Sequence, residues 1–192
     1  MVSTRERILD AAADILRTRG VVHATTKEIA QATGVSEPTL YKYFGDKERL
    51  LLAVLEERLP GLSGVSVRPG AGDVEANLAE LAHAVLHFYQ RSIPMLGALL
   101  ADPQRMAAHR VAMDRHGGGP DKAVAGFAGY LRAEQGLGRI AADADPEASA
   151  ALLIGACFQE AFLRYYTQGP DADAAPRSQA EALARAVVRP LL

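Results

Sequence analysis

The sequence predicts an all-α protein in two parts, a short N-terminal helical head and a longer helical body, on three observations. Apolar residues recur at spacings of three and four in almost every segment between the Gly and Pro breaks. Boxes of the form Ser/Thr-x-x-Glu stand where helices should begin, at Ser3-Thr4-Arg5-Glu6 and Thr25-Thr26-Lys27-Glu28. No stretch of useful length alternates apolar and polar residues as a strand would, and no repeat of solenoid period is visible.

Composition narrows the class without naming a function. The chain has 192 residues, 49% hydrophobic and 23% charged, the balance of a folded globular protein and not of a disordered or fibrous one. Its single cysteine, Cys157, has no partner for an internal disulfide and lies in an apolar run, so it reads as a buried, inert thiol in a reducing compartment. Arg5, Glu6, Arg7, Asp10, Asp14 and Arg17 interrupt the N-terminal segment, so no secretory signal is expected there and a cytoplasmic location is expected. The longest uncharged stretch, 148–159, is short of the roughly 20 apolar residues of a membrane span and reads as a buried helix. A net charge of −2 means that any nucleic-acid binding must arise from local arrangement.

In the head, the first helix is expected over residues 3–19, with Ile8, Ala11, Ala12, Ile15 and Leu16 inward and Gly20 as its stop. Residues 21–24 then read as extended. The second capping box starts a helix that carries Ile29, Ala30 and Thr33 inward and ends at Gly34. Ser36 is placed to cap a third helix, with Glu37 at the positive end of its dipole and Pro38 in the first turn, where no amide partner is lost. Gly45 breaks that helix. Asp46 can cap a fourth, whose stripe is Leu50, Leu51, Val54, Leu55 and Leu59.

Residues 60–72, rich in Gly, Pro and Ser, read as a linker between a head of residues 1–59 and a body of residues 73–192. In the body, helices are expected over 73–90, 93–100, 102–115, 121–135, 146–166 and 178–188. Pro94 and Pro103 suit first turns, and residues 116–120 break the pattern.

Two short helices joined by a tight Gly-containing turn, with Ala30, Val35 and Leu40 as interior points, form the pattern of a helix-turn-helix. The second helix would bury Leu40 and Phe44 and expose Thr39, Tyr41, Lys42 and Tyr43, so it is polar where a major groove would meet it. The whole segment 25–50, with its Gly34-Val35-Ser36 turn, its Thr39-Leu40-Tyr41-Lys42-Tyr43-Phe44 helix and its Lys47-Glu48-Arg49-Leu50 start, resembles the head of the TetR family of transcriptional regulators. The resemblance covers about the first third of the chain and is only architectural beyond residue 59.

That resemblance implies a helix-turn-helix head on a helical body that dimerises and binds a small effector, acting on a palindromic double-stranded DNA operator as a repressor. Thr26, Ser36, Tyr41, Tyr43 and Lys47 take the backbone role, with Lys27 and Lys42 adding charge. Base reading goes to Glu37, Pro38, Thr39 and Lys42. Glu37 has two readings: it favours the helix end only, or it accepts from a cytosine amino group.

Candidate pocket residues are His87, Phe88, Tyr89, Met95, Met106, His109, Met113, Phe127, Tyr130 and Phe158, because Met and polar-tipped aromatics line adaptable apolar pockets as well as cores. The effector they suit is small and hydrophobic or amphipathic. A face of small and apolar residues, Ala151, Leu152, Gly155, Gln159 and Phe162, with Leu183 and Val187 from the last helix, suits either an intramolecular core or a homodimer, and the resemblance favours the homodimer. His83 and His87 sit one turn apart, but no carboxylate or cysteine completes a metal set, and no cofactor is expected. No nucleophile–base arrangement and no phosphate loop supports an enzyme. The alternative of another class is a helical ligand-binding protein of the same fold that has lost operator binding.

Overall fold

The computed structural model describes residues 2–57, 67–115, 119–170 and 172–192. Most of the expected linker, with Leu59 and His116, lies outside the described residues, as does the side chain of Leu55. The helices are α1 (Thr4–His23), α2 (Thr26–Thr33), α3 (Glu37–Phe44), α4 (Lys47–Glu57), α5 (Val74–Leu100), α6 (Pro103–Arg115), α7 (Pro120–Gly136), α8 (Pro146–Gln168) and α9 (Arg177–Val188), followed by a 3-10 turn, Arg189–Leu191. No strand occurs among the described residues, and none of their helices is long and apolar enough to cross a membrane.

By packing, the chain divides into two compact units, Met1–Leu59 with Arg91–Gly117, and Pro60–Gln90 with Gly118–Leu192. This grouping differs from the contiguous body expected over 73–192, because residues 91–117 pack with the head.

In the first unit, both N-terminal capping boxes form. Ser3 Oγ accepts from Glu6 N at 3.2 Å while Glu6 Oε2 accepts from Ser3 N at 2.9 Å, and Thr25 and Glu28 make the same reciprocal pair. The expected stop of α1 at Gly20 is corrected: the helix continues to His23. A glycine inside a helix costs only about 1 kcal/mol relative to alanine, so it does not end one by itself. The chain leaves α1 where Thr25 takes an extended conformation and caps α2. At the α2–α3 turn the glycine is required. Gly34 has φ 69°, and its N–H bonds back to the Ala30 and Gln31 carbonyls.

The core of this unit joins Ile8, Leu9 and Ala12 of α1, Ile29 and Ala30 of α2, Leu40 and Phe44 of α3, and Leu50, Leu51 and Val54 of α4. Met95 and Leu99 at the end of α5 complete it, and Met106 packs against it. Helix α1 lies against α2 and α4, and α6 also packs on α4. Asp46 Oδ1 accepts from Arg49 N at 2.7 Å, which is the expected cap of α4.

The separate helices expected over 73–90 and 93–100 are one helix, α5, with Pro94 inside it. Proline removes one bond to the carbonyl four residues back and costs about 3 kcal/mol in a helix interior. Burial of Ile93, Met95 and Leu99 around it works against that cost.

The second unit packs α5 residues Leu78, Ala82, Val85 and Leu86 with Phe127 and Leu131 of α7, Leu153 and Cys157 of α8, and Ala180, Ala184 and Val188 of α9. Cys157 is buried, its Sγ donates to the Ala82 carbonyl at 3.7 Å, and burial pushes the thiol up to about 12, so it is neutral at physiological pH. The reading of 148–159 as a buried helix holds for one side only. Only one side of α8 is covered, the side that carries Ser149, Ala150, Leu153, Ile154 and Cys157, while Leu152 is 68% exposed.

One charged group lies within this core. Glu134 is fully buried, with Oε1 accepting from Gly70 N at 3.3 Å and Oε2 lying 3.3 Å from Arg139 Nη1 as a close ion pair. Arg139 also donates to the Gly72 carbonyl, and Asn77 donates to Ala71 O at 2.7 Å and to Tyr130 Oη at 3.0 Å. Residues 70–72 are thereby tied to α5 and α7. Replacing Arg139 by Met strands the Glu134 carboxylate in the core, so urea unfolding should show a loss of about 3 kcal/mol, and an unchanged midpoint would show that the pair contributes nothing.

Candidate nucleic-acid interface

The candidate interface is built on the solvent side of α3. Leu40 is completely buried and Phe44 is 6% exposed, and they lie one turn apart, so the opposite side of the helix must face water. That side carries Tyr41, 39% exposed, Tyr43, 46% exposed, and the exposed Lys42. Thr39 is half-buried beside them. The Arg5 guanidinium stands 5.3 Å from the centre of the Phe44 ring and donates to Glu57 Oε2 at 2.7 Å, which braces α3 against α1 and α4.

The N-terminus of α3 is capped by Ser36, whose Oγ accepts from Thr39 N at 3.3 Å and lies 2.8 Å from Thr39 Oγ1. Pro38 in the first turn is exposed. From α2, Thr26 is buried at its entry while Lys27 is exposed. The two helix starts meet through side chains: Thr26 Oγ1 donates to Glu37 Oε2 at 2.8 Å and lies 3.1 Å from Tyr41 Oη. Lys47 is half-buried, and its ammonium donates to the Ala24 carbonyl just ahead of the α2 cap.

The expected interface residues therefore form two bonded groups, Thr26–Glu37–Tyr41 and Ser36–Thr39, flanked by the exposed Lys27, Pro38, Lys42 and Tyr43. The bond between α2 and α3 was not legible from spacing, because Thr26 and Glu37 are eleven residues apart in different helices.

The pocket candidates fall in both units. Met95, Met106, His109 and Met113 belong to the first; Met95 is core, and burial lowers the His109 pKa. His87, Phe88, Tyr89, Phe127, Tyr130 and Phe158 belong to the second. There Tyr89 meets Phe158 edge-on at 5.3 Å and Phe88 at 5.6 Å, and burial raises the Tyr89 pKa. Phe127 is core. The Tyr130 hydroxyl is taken by Asn77, and burial together with the neighbouring Glu134 carboxylate pushes it up to about 12.

His83 and His87 have ring centroids 4.4 Å apart, and no group of three His, Cys, Asp or Glu side chains is placed to hold a metal among the described residues. Sequence reasoning missed the Glu134 cluster. Its signal was present: Phe127, Leu131 and Glu134 fall on one helical stripe, so the carboxylate was due to face inward.

The face expected at a homodimer interface is open in the single chain. Ala151, Leu152, Gly155, Gln159 and Phe162 are exposed, whereas Leu183 and Val187 are half-buried against the second unit's core. Phe162 stacks on the exposed Tyr166 at 6.2 Å, and Leu163 is exposed beside them.

Residues 8–54 match the family described as bacterial regulatory proteins, tetR family. The chain is 34% identical over 86 residues to the uncharacterised HTH-type transcriptional regulator YvkB of Bacillus subtilis, covering 45% of each protein. It is 38% identical over 69 residues to the tetracycline repressor protein class D of Escherichia coli, covering 36% of this chain and 31% of that one. The chain thus spans half or less of the length of these curated relatives. Among solved structures, GusR of Salmonella enterica superposes with a TM-score of 0.72 at 25% identity, covering 98% of this chain and 95% of that one. The helix pair that offers Lys42, Tyr41 and Tyr43 to solvent lies inside the matched segment, so the likeness to the tetR family of bacterial regulatory proteins is carried by the head, residues 8–54.

Proposed function

We propose that this protein is a one-component, ligand-responsive transcriptional repressor that binds a palindromic DNA operator as a homodimer. The observation that carries this reading is the division of α3 into a buried Leu40–Phe44 side and an open side bearing Tyr41, Lys42 and Tyr43. B-DNA's major groove admits one such helix, with its N-terminal residues at the base edges. Glu37, Pro38, Thr39 and Lys42 are the base readers in this reading. Lys27, Ser36, Tyr43 and Lys47 take the phosphates in this reading, Thr26 can add its amide at the start of α2, and the hydroxyls of Thr26 and Tyr41 are engaged toward Glu37 in the free head. A cytoplasmic location goes with it.

The open face of α8 supports the homodimer. Leu152, Phe162, Leu163 and Tyr166 are all at least 45% exposed, and a cluster of large apolar side chains on the surface of a soluble chain marks an interaction site. Two copies joined there would carry two recognition helices, to be set into major grooves about 34–36 Å apart. The effector belongs with the aromatic group Phe88, Tyr89 and Phe158, where two apolar rings flank a half-buried phenol. Within the first unit α6 packs on α4, so a shift of α6 has a direct route to the head. An effector that prefers one arrangement of α4 and α6 then lowers operator affinity by that preference.

In gel shifts with DNA flanking the gene, the wild-type chain should bind selectively, and Lys42→Ala should weaken that binding by about tenfold. Absence of selective binding at low salt would instead identify a ligand-binding relative without an operator. Phe162→Glu, a change at an exposed position, should convert the dimer to a folded monomer in light scattering and abolish operator binding; a dimer that survives would move the interface elsewhere. In a thermal-shift screen of small hydrophobic compounds, a stabilising hit should lower operator affinity, and the operator should lower the affinity for that hit by the same factor. A tight binder that leaves operator affinity unchanged would remove the effector coupling.

A further inference from the structure

We propose that Glu37 makes the head select, at one fixed position on the strand it faces in each half-site, a base bearing an exocyclic amino group, cytosine or adenine. This inference rests on the DNA-binding reading above and adds to it the chemistry of one contact.

Proton count sets the direction of the bonds around Glu37. Thr26 has one hydroxyl proton, and Glu37 Oε2 takes it at 2.8 Å. The 3.1 Å contact between Thr26 Oγ1 and Tyr41 Oη must then be donated by Tyr41. A directed chain, Tyr41 to Thr26 to Glu37, runs from the exposed side of α3 through a buried hydroxyl to the carboxylate. An ionised carboxylate offers about four acceptor sites, and Thr26 uses one.

The simpler role, favouring the positive end of the helix, does not account for this arrangement. Capping of α3 is already done by Ser36, which accepts from Thr39 N. Helix-end preference requires a negative charge near the N-terminus, but it does not require that the charge be held by a buried hydroxyl from another helix. The bonded carboxylate sits in the first turn of the recognition helix, next to the exposed Pro38, at the end from which such helices address base edges.

A group that only accepts discriminates by what the base offers. In the major groove, cytosine presents the N4 amino group and adenine the N6 amino group, whereas guanine presents N7 and O6 acceptors and thymine an O4 acceptor and a methyl group. Facing guanine or thymine, the carboxylate would meet only acceptors. Facing cytosine or adenine it completes a charge-assisted hydrogen bond. The same charge is repelled by phosphates on any sequence, so it also lowers non-specific affinity.

The test selects binding duplexes for the full chain from a pool with a randomised core, in parallel for the wild type, Glu37→Gln, Thr26→Val and Tyr41→Phe. The wild type should enrich cytosine or adenine at one symmetric pair of positions, and which of the two is enriched names the base. Glu37→Gln, whose amide both donates and accepts, should relax discrimination there by about tenfold, leave the other positions unchanged and bind unselected DNA more tightly. Thr26→Val and Tyr41→Phe, which keep the carboxylate but break the chain, should loosen the same position to a smaller extent. An identical base profile for the wild type and Glu37→Gln would overturn the inference while leaving DNA binding intact. No enrichment by any of the four proteins would remove the DNA-binding reading, and the inference with it.

Discussion

The head is organised around the apolar pair Leu40 and Phe44, separated by just over one helical turn in a helix of eight residues. Each contributes about 1.5–3 kcal/mol by leaving water. Turning α3 by one residue, about 100°, would carry both out of the core and bring Tyr41, or Thr39 and Tyr43, toward it, so the helix has a single rotational setting. Every property of its outer side follows from that setting, including the exposure of both tyrosines. The Arg5 guanidinium over the Phe44 ring, bonded to Glu57, holds the setting from below. Gly34 holds it from the side, since its left-handed conformation sets the angle at which α3 leaves α2.

The second unit uses the same principle on a longer helix and leaves it half satisfied. The covered side of α8 combines the small residues Ser149, Ala150, Cys157 and Ala161 with Leu153 and Ile154; the open side carries Leu152, Phe162, Leu163 and Tyr166. Burial keeps the Cys157 thiol neutral, so its contribution is packing and a weak bond to the Ala82 carbonyl. Glu134 inverts the pattern, being a charge in the core. Such a group persists only when a counter-ion and donors surround it, here Arg139 and the Gly70 amide. The cluster orders the chain just before α5 by tying residues 70–72 to the helices around them.

Helices were legible where a local rule had no competitor. Both capping boxes, the Gly34 turn, the Ser36 cap and the inward faces of α2 and α3 each depend on residues within four positions of one another, and each formed as expected. Expectations failed where one residue was asked to overrule its surroundings. Gly20 did not stop α1, and Pro94 did not divide α5, because each imposes a bounded local cost that neighbouring helical residues can offset. The reading of 148–159 as a buried helix held for one side only, for another reason. Hydrophobicity says that a face must be covered, but not that the same chain covers it.

The interface shows where local information stops. The order of residues was enough to place Thr39, Tyr41, Lys42 and Tyr43 on one side of a short helix, since that follows from helical period alone. It could not join Thr26 to Glu37, or Asn77 to Tyr130, because those bonds link different helices and depend on how the helices pack. What the amino-acid order determined by itself is the helical character of the chain, the capped helix starts of the head and the apolar sides of α2 and α3, which are properties of neighbouring residues. The tertiary structure alone decided which polar groups meet across helices, because a hydrogen bond needs atoms within about 3 Å, and only packing brings distant residues that close.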